Sequence, residues 1–192
     1  MLSISFGDIG DAAKYSEERL REHFPSVASQ DFIDALVKKK SEIAKHASIC
    51  AYMNIATLLD TQGIDTKSLN LKRTPDGKPY FDNSSISFSI SHTDKYFAVA
   101  ISDSEVGIDI ESKDLRKDKQ NSISKRFFLP SEAEYACDRD SFLRVWTFKE
   151  AYAKMKGLPL PRVINKASVF DDSISKIYKT YNDAVICVCT AQ

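Results

Sequence analysis

The chain has 192 residues, of which 43% are hydrophobic and 28% are charged, a balance that is typical of a globular protein and excludes a disordered one. Its 27 basic and 27 acidic side chains cancel, so no overall charge draws it to nucleic acid or to an anionic membrane. No signal peptide is recognisable at its start, and no apolar run reaches the roughly 18 residues of a membrane span. We therefore expect a cytoplasmic protein that binds neither nucleic acid nor membrane.

Hydrophobic periodicity divides the chain into two halves with a similar order of elements. The first half is predicted to form a strand, a long helical stretch and two strands, over residues 2–6, 30–60, 86–91 and 96–101. The second half is predicted to form a strand, a charged exposed stretch, two helices and three strand-like runs, over residues 106–111, 112–126, from 130, 141–156, 167–170, 177–181 and 184–190. These patterns predict an α+β protein with an N-terminal subdomain 1–102 and a C-terminal subdomain 103–192.

The sequence Val-Gly-Ile-Asp-Ile-Glu at 106–111 places two carboxylates on one face of a predicted strand. Asp109 and Glu111 are two residues apart and share this face, while Ile108 and Ile110 point into a core. Neighbouring carboxylates repel each other unless a cation or a proton lies between them, and Mg²⁺ commonly takes one or two such ligands. The alternative is an edge strand with ordinary surface acids.

The helix predicted over 141–156 has an apolar stripe and an unusual opposite side. The stripe residues recur at helical spacing and are Phe142, Val145, Phe148, Tyr152 and Met155. Trp146, Glu150 and Lys154 follow one another at four-residue intervals on nearly the opposite side, with Lys149 near the border. The alternatives are a surface ion pair between Glu150 and Lys154 and a second packing layer for Trp146.

A third group combines a turn lysine with polar residues at the end of a strand. Lys78 lies in the turn Gly-Lys-Pro-Tyr, and Ser91 and His92 end the strand predicted before the bend. Ammonium, hydroxyl and imidazole groups at a sheet rim are suited to binding phosphate. The alternative is an exposed lysine and a capped or solvated histidine.

The order of these motifs resembles the 4′-phosphopantetheinyl transferase superfamily, in particular its larger, surfactin-synthetase-activating type. The motifs, in chain order, are GKPY, SISHT, VGIDIE, KRFF and WTFKEAYAK, over residues 77–157. The resemblance implies two subdomains related by a pseudo-twofold axis, with the substrate site between them. It further implies transfer of phosphopantetheine from coenzyme A to a serine of an acyl- or peptidyl-carrier protein, with release of 3′,5′-ADP.

The resemblance also implies roles for the residues at the motif positions. Asp109, Glu111 and Glu150 would bind Mg²⁺, and Lys154 would contact the pyrophosphate and stabilise the departing 3′,5′-ADP. Glu150 would take the proton of the carrier serine, directly or through a metal-bound water.

Other motif positions are implied to bind coenzyme A or to support the site. Lys78, Ser91 and His92 would hold the adenosine 3′-phosphate, and Lys149 is expected at the coenzyme A site, with Trp146 in a supporting role. Glu132 lies where the family often has another acid near the metal, although placement in the first turn of a helix explains it equally well.

The chain departs from the family pattern in its N-terminal half. Members usually carry an arginine there that meets the 3′-phosphate, whereas this chain has Lys45 and His46, with lysines at 38–40 upstream. Either Lys45 or His46 is expected to substitute. If His46 does, the affinity for coenzyme A should weaken between about pH 6 and pH 8 as the imidazole loses its charge.

A basic stretch follows the acidic strand and is a candidate docking surface for an acidic carrier protein. Its cations are Lys113, Arg116, Lys117, Lys119, Lys125 and Arg126, interspersed with Asp114 and Asp118. A solvated charged loop is the alternative. Two rival functions also stand beside the transferase, namely a non-catalytic binder of coenzyme A or carrier protein and a metal-dependent phosphodiester hydrolase. Two fused halves would make a monomer sufficient.

Overall fold

Two antiparallel three-stranded sheets form the framework of the chain, one in each half. The computed structural model describes residues 1–10, 15–38, 41–114 and 117–191. The strands of these ranges are β1 (Leu2–Asp8), β2 (Leu71–Arg73), β3 (Pro79–Phe81), β4 (Ser87–His92), β5 (Tyr96–Ser102), β6 (Val106–Ser112), β7 (Ser175–Tyr181) and β8 (Ala184–Thr190). The helices of the same ranges are α1 (Glu17–His23), α2 (Val27–Val37), α3 (Glu42–Thr61), α4 (Lys117–Phe127), α5 (Pro130–Tyr135), α6 (Arg139–Lys156) and α7 (Leu160–Val163). The predicted α+β class is confirmed.

The first sheet has the strand order β1-β5-β4, and helix α3 packs on it. The Ser41 hydroxyl caps α3 by accepting a hydrogen bond from the backbone N–H of Ala44, and most of the helix is buried. The helical stretch predicted over 30–60 is in fact two helices, since α2 ends at Val37 and α3 begins at Glu42. The Ser41 cap explains why a new helix begins at Glu42.

The second sheet has the order β6-β8-β7, and helix α6 packs on β6 and β8. Asp138 caps the start of α6 by accepting from the backbone N–H of Ser141, and Gly157 ends the helix in a left-handed conformation with φ 64°. The predicted apolar stripe of α6 faces the sheet, where Phe148 and Met155 pack with Cys187 and Cys189. Ile108 and Ile110 point to the opposite face, into a core shared with β5 and β8, as predicted.

Serine hydroxyls of β4 join the two sheets. In the described topology β6 pairs with β8 along one side only, which leaves backbone N–H groups along its other edge. The hydroxyl of Ser87 accepts from the N–H of Val106 at 3.3 Å, and that of Ser89 accepts from Ile108 at 3.1 Å. The hydroxyls thereby satisfy donors that an adjacent strand would otherwise pair, and they fix β6 against the N-terminal sheet.

One sequence prediction in the second half is wrong, and another lacks an element that the structure adds. Residues 167–170 form a loop that leads into a turn rather than a strand, because buried side chains take the backbone groups that a strand would use, the carbonyl of Ala167 and the N–H of Val169. The charged stretch predicted over 112–126 is exposed over much of its length but contains helix α4. Helix α1 was not expected.

Within the ranges that the structure describes, no helix is both long enough and apolar enough to cross a membrane. The two sheets lie on either side of the chain position 102/103. The division into subdomains 1–102 and 103–192 stays a prediction.

Candidate active site

A glycine allows α6 to lie directly on strand β6. A Cβ atom built on Gly107 would lie 1.9 Å from the carbonyl oxygen of Ala151 and 2.4 Å from the backbone nitrogen of Met155. No side chain fits between the helix and the strand at this point. Because Asp109 and Glu111 are on the same face of β6 as Gly107, both carboxylates point to the side on which α6 carries Glu150.

Asp109 is the centre of a hydrogen-bond network that joins three elements. Its Oδ1 atom accepts from the Ser91 hydroxyl of β4 at 2.7 Å and from the Lys154 ammonium of α6 at 2.7 Å. Lys154 also donates to the Ser91 hydroxyl at 2.8 Å. Asp109 is 4% exposed, and its Oδ2 atom is buried without a hydrogen-bond partner among the described residues. A buried oxygen of this kind is a ready ligand for a cation or a donor.

Glu111 and Glu150 are partly buried beside the same aspartate. Burial, followed by the negative charge of Asp109, raises the pKa of Glu111 to about 7, and the same two causes raise the pKa of Glu150 to about 7. Glu150 adds to the repulsion at Glu111, so the three groups act on one another electrostatically. The indole N–H of Trp146 donates to the Oε1 atom of Glu111 at 3.2 Å.

A cavity of about 320 Å³ opens beside this network. Lys78, Glu150 and Lys154 line it. The ammonium of Lys78 donates to the Met155 carbonyl at 2.8 Å in the last turn of α6, and burial lowers the pKa of Lys78. The cavity therefore has two cations and two carboxylates, Asp76 and Glu150, in its wall, a composition suited to an anionic ligand that also binds a cation.

Lys149 does not lie at this cavity, which corrects the prediction that it binds coenzyme A. Its side chain is 1% exposed, and its ammonium forms an ion pair with Glu132 at 2.8 Å. It also donates to the carbonyls of Ile164 at 2.8 Å and Ala167 at 2.6 Å. All three hydrogens of the ammonium are thereby used inside the protein. Burial lowers the pKa of Lys149, while the ion pair opposes this.

Glu132 has the helix-start position that the sequence offered as one of its two interpretations. Its Oε2 atom accepts from the backbone N–H of Leu129 at 2.9 Å, and its Oε1 atom accepts from Val169 at 2.9 Å. Together with Lys149, these contacts satisfy the carboxylate within the core. Glu132 is therefore structural in this arrangement rather than an additional acid beside Asp109.

Further predicted residues lie outside the cavity as the structure describes it. His92 contacts the Thr93 carbonyl at 3.4 Å through Nδ1. His46 lines a different, open cavity together with Glu42, Asp94 and Lys95. Which of the two candidates, Lys45 or His46, meets a phosphate stays a prediction; Lys45 lies 3.9 Å from a Glu17 carboxylate oxygen.

Part of the predicted docking stretch lies outside the described residues. Arg116 falls there, as do Lys39 and Lys40 of the upstream lysine run, and the side chain of Lys117 is likewise not described. In the described part, Lys113 forms an ion pair with Asp140 of α6 at 2.7 Å. The docking surface stays a prediction.

The carboxylates fit a divalent cation by their chemistry. Three carboxylates supply hard oxygen ligands of the kind that Mg²⁺ prefers, and the buried Oδ2 atom of Asp109 has no hydrogen-bond partner in the part of the chain that the structure describes. In the described ranges, however, no three His, Cys, Asp or Glu side chains stand in a ready metal-binding arrangement. The Lys154 ammonium bonds to Asp109 and the Trp146 indole bonds to Glu111, so two of the carboxylates have other partners in this structure.

Several residues of the cavity wall were not expected from the sequence. They follow or precede the end of α6 and are Ala153, Gly157, Leu158, Pro159 and Leu160. A glycine and a proline after a helical pattern, here Gly157 and Pro159, indicate from the sequence only that a helix stops. The helix stop lies just after the motif residue Lys154. This proximity was the indication in the sequence that the chain turns around a site there.

Comparison with known proteins agrees with this assembly. Residues 105–191 match the sequence model of the 4′-phosphopantetheinyl transferase superfamily. The chain is 32% identical over 112 residues to the 4′-phosphopantetheinyl transferase gsp of Aneurinibacillus migulanus, covering 54% of this chain and 46% of the relative. It is 33% identical over 108 residues to a 4′-phosphopantetheinyl transferase of Bacillus subtilis, covering 52% and 47%.

A third relative is of the type that the motifs predict. The chain is 34% identical over 109 residues to the 4′-phosphopantetheinyl transferase Sfp of Bacillus subtilis strain 168, covering 51% of this chain and 46% of the relative. The chain thus spans about half the length of each of these three relatives. The match over residues 105–191 and the similarity to these relatives confirm the resemblance to the 4′-phosphopantetheinyl transferase superfamily that the motifs predict.

Proposed function

We propose that this chain is a Mg²⁺-dependent 4′-phosphopantetheinyl transferase that modifies a serine of an acyl- or peptidyl-carrier protein. The observation that carries the proposal is one cavity lined by Lys78, Glu150 and Lys154, beside which Asp109 bonds to Lys154 and acts electrostatically on Glu111 and Glu150. An anionic pyrophosphate substrate needs both cations and metal-binding carboxylates, and residues from both halves of the chain supply them.

Lys78 and Lys154 are assigned to coenzyme A. Both line the cavity of about 320 Å³, Lys78 beside the end of α6 and Lys154 beside Asp109. Lys78 would hold the adenosine 3′-phosphate end, with Ser91 and His92 at the end of β4. Lys154 would lie at the pyrophosphate and neutralise the charge that develops on the departing 3′,5′-ADP.

The three carboxylates would hold the metal. Asp109 is nearly fully buried, with one oxygen lacking a partner among the described residues, and Glu111 and Glu150 carry pKa values raised to about 7. Such a cluster is stabilised by a cation that replaces the shared protons. Bound Mg²⁺ would supply charge neutralisation for the pyrophosphate in the transition state.

Glu150 is assigned as the base. The hydroxyl oxygen of the carrier serine attacks the phosphorus that bears pantetheine, and the bond from that phosphorus to the oxygen of 3′,5′-ADP breaks. The proton of the hydroxyl must go to an acceptor, and the Glu150 carboxylate would take it directly or through a metal-bound water. Glu150 lies in the cavity wall, one helical turn from Lys154.

The remaining parts of the proposal concern the surroundings of the reaction. The basic stretch at 113–126, on and before α4, is proposed as the docking surface for the carrier protein. We also propose that the chain divides into subdomains 1–102 and 103–192, with the cavity between them. The protein is proposed to act as a monomer in the cytoplasm. Neither the net charge of zero nor the proposed substrate class favours nucleic acid or a membrane as a partner.

The test is the mass of an apo-carrier protein after incubation with the enzyme, coenzyme A and Mg²⁺. The transferase adds one phosphopantetheine group to the carrier serine, and chelation of the metal by EDTA abolishes the addition. A phosphodiester hydrolase would release phosphopantetheine to water and leave the carrier mass unchanged. A non-catalytic binder would leave both the carrier and coenzyme A intact.

A further inference from the structure

Trp146 is the single tryptophan of the chain, and it lies on the side of α6 opposite the apolar stripe. It is 9% exposed and packs in a second hydrophobic cluster with Leu143, Ile164 and Val185. Packing alone accounts for its ring. It does not account for the indole N–H, which a phenylalanine or leucine at this position would lack.

The indole N–H is directed at a carboxylate of the site. Trp146 Nε1 donates to Glu111 Oε1 at 3.2 Å, across from α6 to β6. An indole nitrogen can only donate a hydrogen bond. This bond therefore forms only when one oxygen of the carboxylate is turned towards the ring. The Oε2 atom of Glu111 is then left for another partner. A carboxylate that is held in this way is pre-oriented as a metal ligand.

The ring of Trp146 is itself held from the other side by helix α4. The Phe127 ring lies at a centroid distance of 5.9 Å from the indole with an interplanar angle of 36°. Phe127 is the last residue of α4 and carries the Arg126 guanidinium 4.9 Å above its own ring. The next residue, Phe128, has a different partner and packs on Phe142 at 5.3 Å.

We propose that Trp146 is a positioning residue, which holds the Glu111 carboxylate for a divalent cation and is held in turn by Phe127 of α4. The inference rests on the proposed function, because it assumes that Glu111 binds a cation. It goes beyond that function by assigning a task to a side chain that does not line the cavity. It also makes α4 part of the support of the site.

The fluorescence of Trp146 gives a direct test, because no other tryptophan contributes. Mg²⁺ is titrated into the protein in the presence of coenzyme A, while the emission is recorded. Binding of the cation at Glu111 should change the emission intensity or wavelength. The dissociation constant obtained is then compared with that of Trp146→Phe, measured by calorimetry. Loss of the indole donor should weaken Mg²⁺ binding on the order of tenfold.

Phe127→Leu and Phe128→Leu form a matched pair of variants in which residue 146 is still tryptophan. Both variants replace a phenylalanine by the smaller leucine. Only Phe127→Leu removes the ring that packs against the indole. Phe127→Leu should weaken Mg²⁺ binding in the same direction as Trp146→Phe, by a smaller factor, and raise the KM for Mg²⁺ with the KM for coenzyme A unchanged. Phe128→Leu should leave both values near those of the wild type. If Trp146→Phe does not fold, these two variants still test the proposal.

The outcomes separate this inference from the proposed function. If Trp146→Phe and Phe127→Leu bind Mg²⁺ as tightly as the wild type, the inference is overturned, while Mg²⁺-dependent transfer to the carrier would leave the proposed function standing. Equal effects of Phe127→Leu and Phe128→Leu would indicate general loosening and overturn the task given to Phe127. A wild-type protein that neither binds Mg²⁺ with coenzyme A nor modifies a carrier would overturn both.

Discussion

Lys154 Nζ lies 2.7 Å from Asp109 Oδ1, and this contact ties the last turns of α6 to the acidic strand β6. The aspartate side chain is 5% exposed and the lysine side chain 31% exposed, so the pair lies at the wall of the cavity rather than on the open surface. Ser91 of the N-terminal sheet bonds to both members. The contact therefore joins both halves of the chain at the site.

Lys154→Ala should lower both the rate of transfer and the stability of the protein without Mg²⁺. The rate should fall by roughly 10²–10³-fold, because a positive group at the departing phosphate is lost. The free energy of unfolding should fall by about 1–3 kcal/mol, since a nearly buried carboxylate loses a charged partner. Rate assays and urea unfolding measure the two effects, and the stability loss should shrink when Mg²⁺ is added.

Lys156→Ala is the control for this change. Lys156 is on the same helix, 3.9 Å from Glu105, and both side chains are well exposed. Surface pairs of this kind contribute about 1 kcal/mol or less. A Lys154→Ala variant that resembles Lys156→Ala in rate and stability would show that the Asp109 contact has no part in the site.

Gly107→Ala should destabilise the protein and lower its activity together. The new methyl group would lie well inside contact distance of the Ala151 carbonyl and the Met155 nitrogen, which are backbone atoms and cannot rotate away. Helix α6 must move from β6, at a cost of about 1–3 kcal/mol or more. Thermal unfolding checks the stability, and the rate of carrier modification checks the displacement of Glu150.

Gly10→Ala is the matched control, because no heavy atom lies within 4 Å of a Cβ built there. It should leave stability within about 0.5 kcal/mol of the wild type. A Gly107→Ala protein as stable as this control would mean that α6 does not lie against β6 as described.

Removing one member of the buried pair Lys149–Glu132 should be among the most destabilising single changes. The two side chains are 1% and 0% exposed, so either charge would be left in the core without its counterion. Lys149→Met should lower the free energy of unfolding by about 3–5 kcal/mol. The double variant with Glu132→Leu should lose less than the sum of the single changes, and additive losses in urea unfolding would contradict the pairing.

Tyr52→Phe should leave the protein as stable as the wild type or more stable. Tyr52 is 1% exposed between the rings of Phe32 and Phe88, and its hydroxyl has no hydrogen-bond partner among the described residues. Burial raises the pKa of this phenol. Deleting an unpaired buried hydroxyl removes its desolvation penalty, so a gain of up to about 1 kcal/mol is expected in thermal unfolding. A clear loss of stability would reveal a partner for the hydroxyl.

The two faces of β6 could be predicted from the sequence because they depend on local geometry alone. Strict alternation of side chains along a strand fixes that Asp109 and Glu111 share a face and that Ile108 and Ile110 share the other. The stripe of α6 likewise follows from helical spacing. Both patterns are found in the structure.

Local geometry could not predict the contacts between segments that are distant in the chain. Lys149 lies near the border of its helix stripe, and it is buried because Glu132 and two carbonyls of the 164–167 segment meet it in space. For the same reason the predicted strand at 167–170 is absent. Alternation also showed that Ser87 and Ser89 share a face, but not that this face would meet the backbone of β6.

The central claim is that Asp109, Glu111 and Glu150 act as one site for a divalent cation and the pyrophosphate of coenzyme A. Its most direct test is the rate at which purified Asp109→Ala and Glu150→Gln modify an apo-carrier protein at saturating Mg²⁺, with thermal unfolding showing that each variant is folded. The account predicts that each folded variant loses roughly 10²–10⁴-fold in rate. Near wild-type rates in either variant would contradict it.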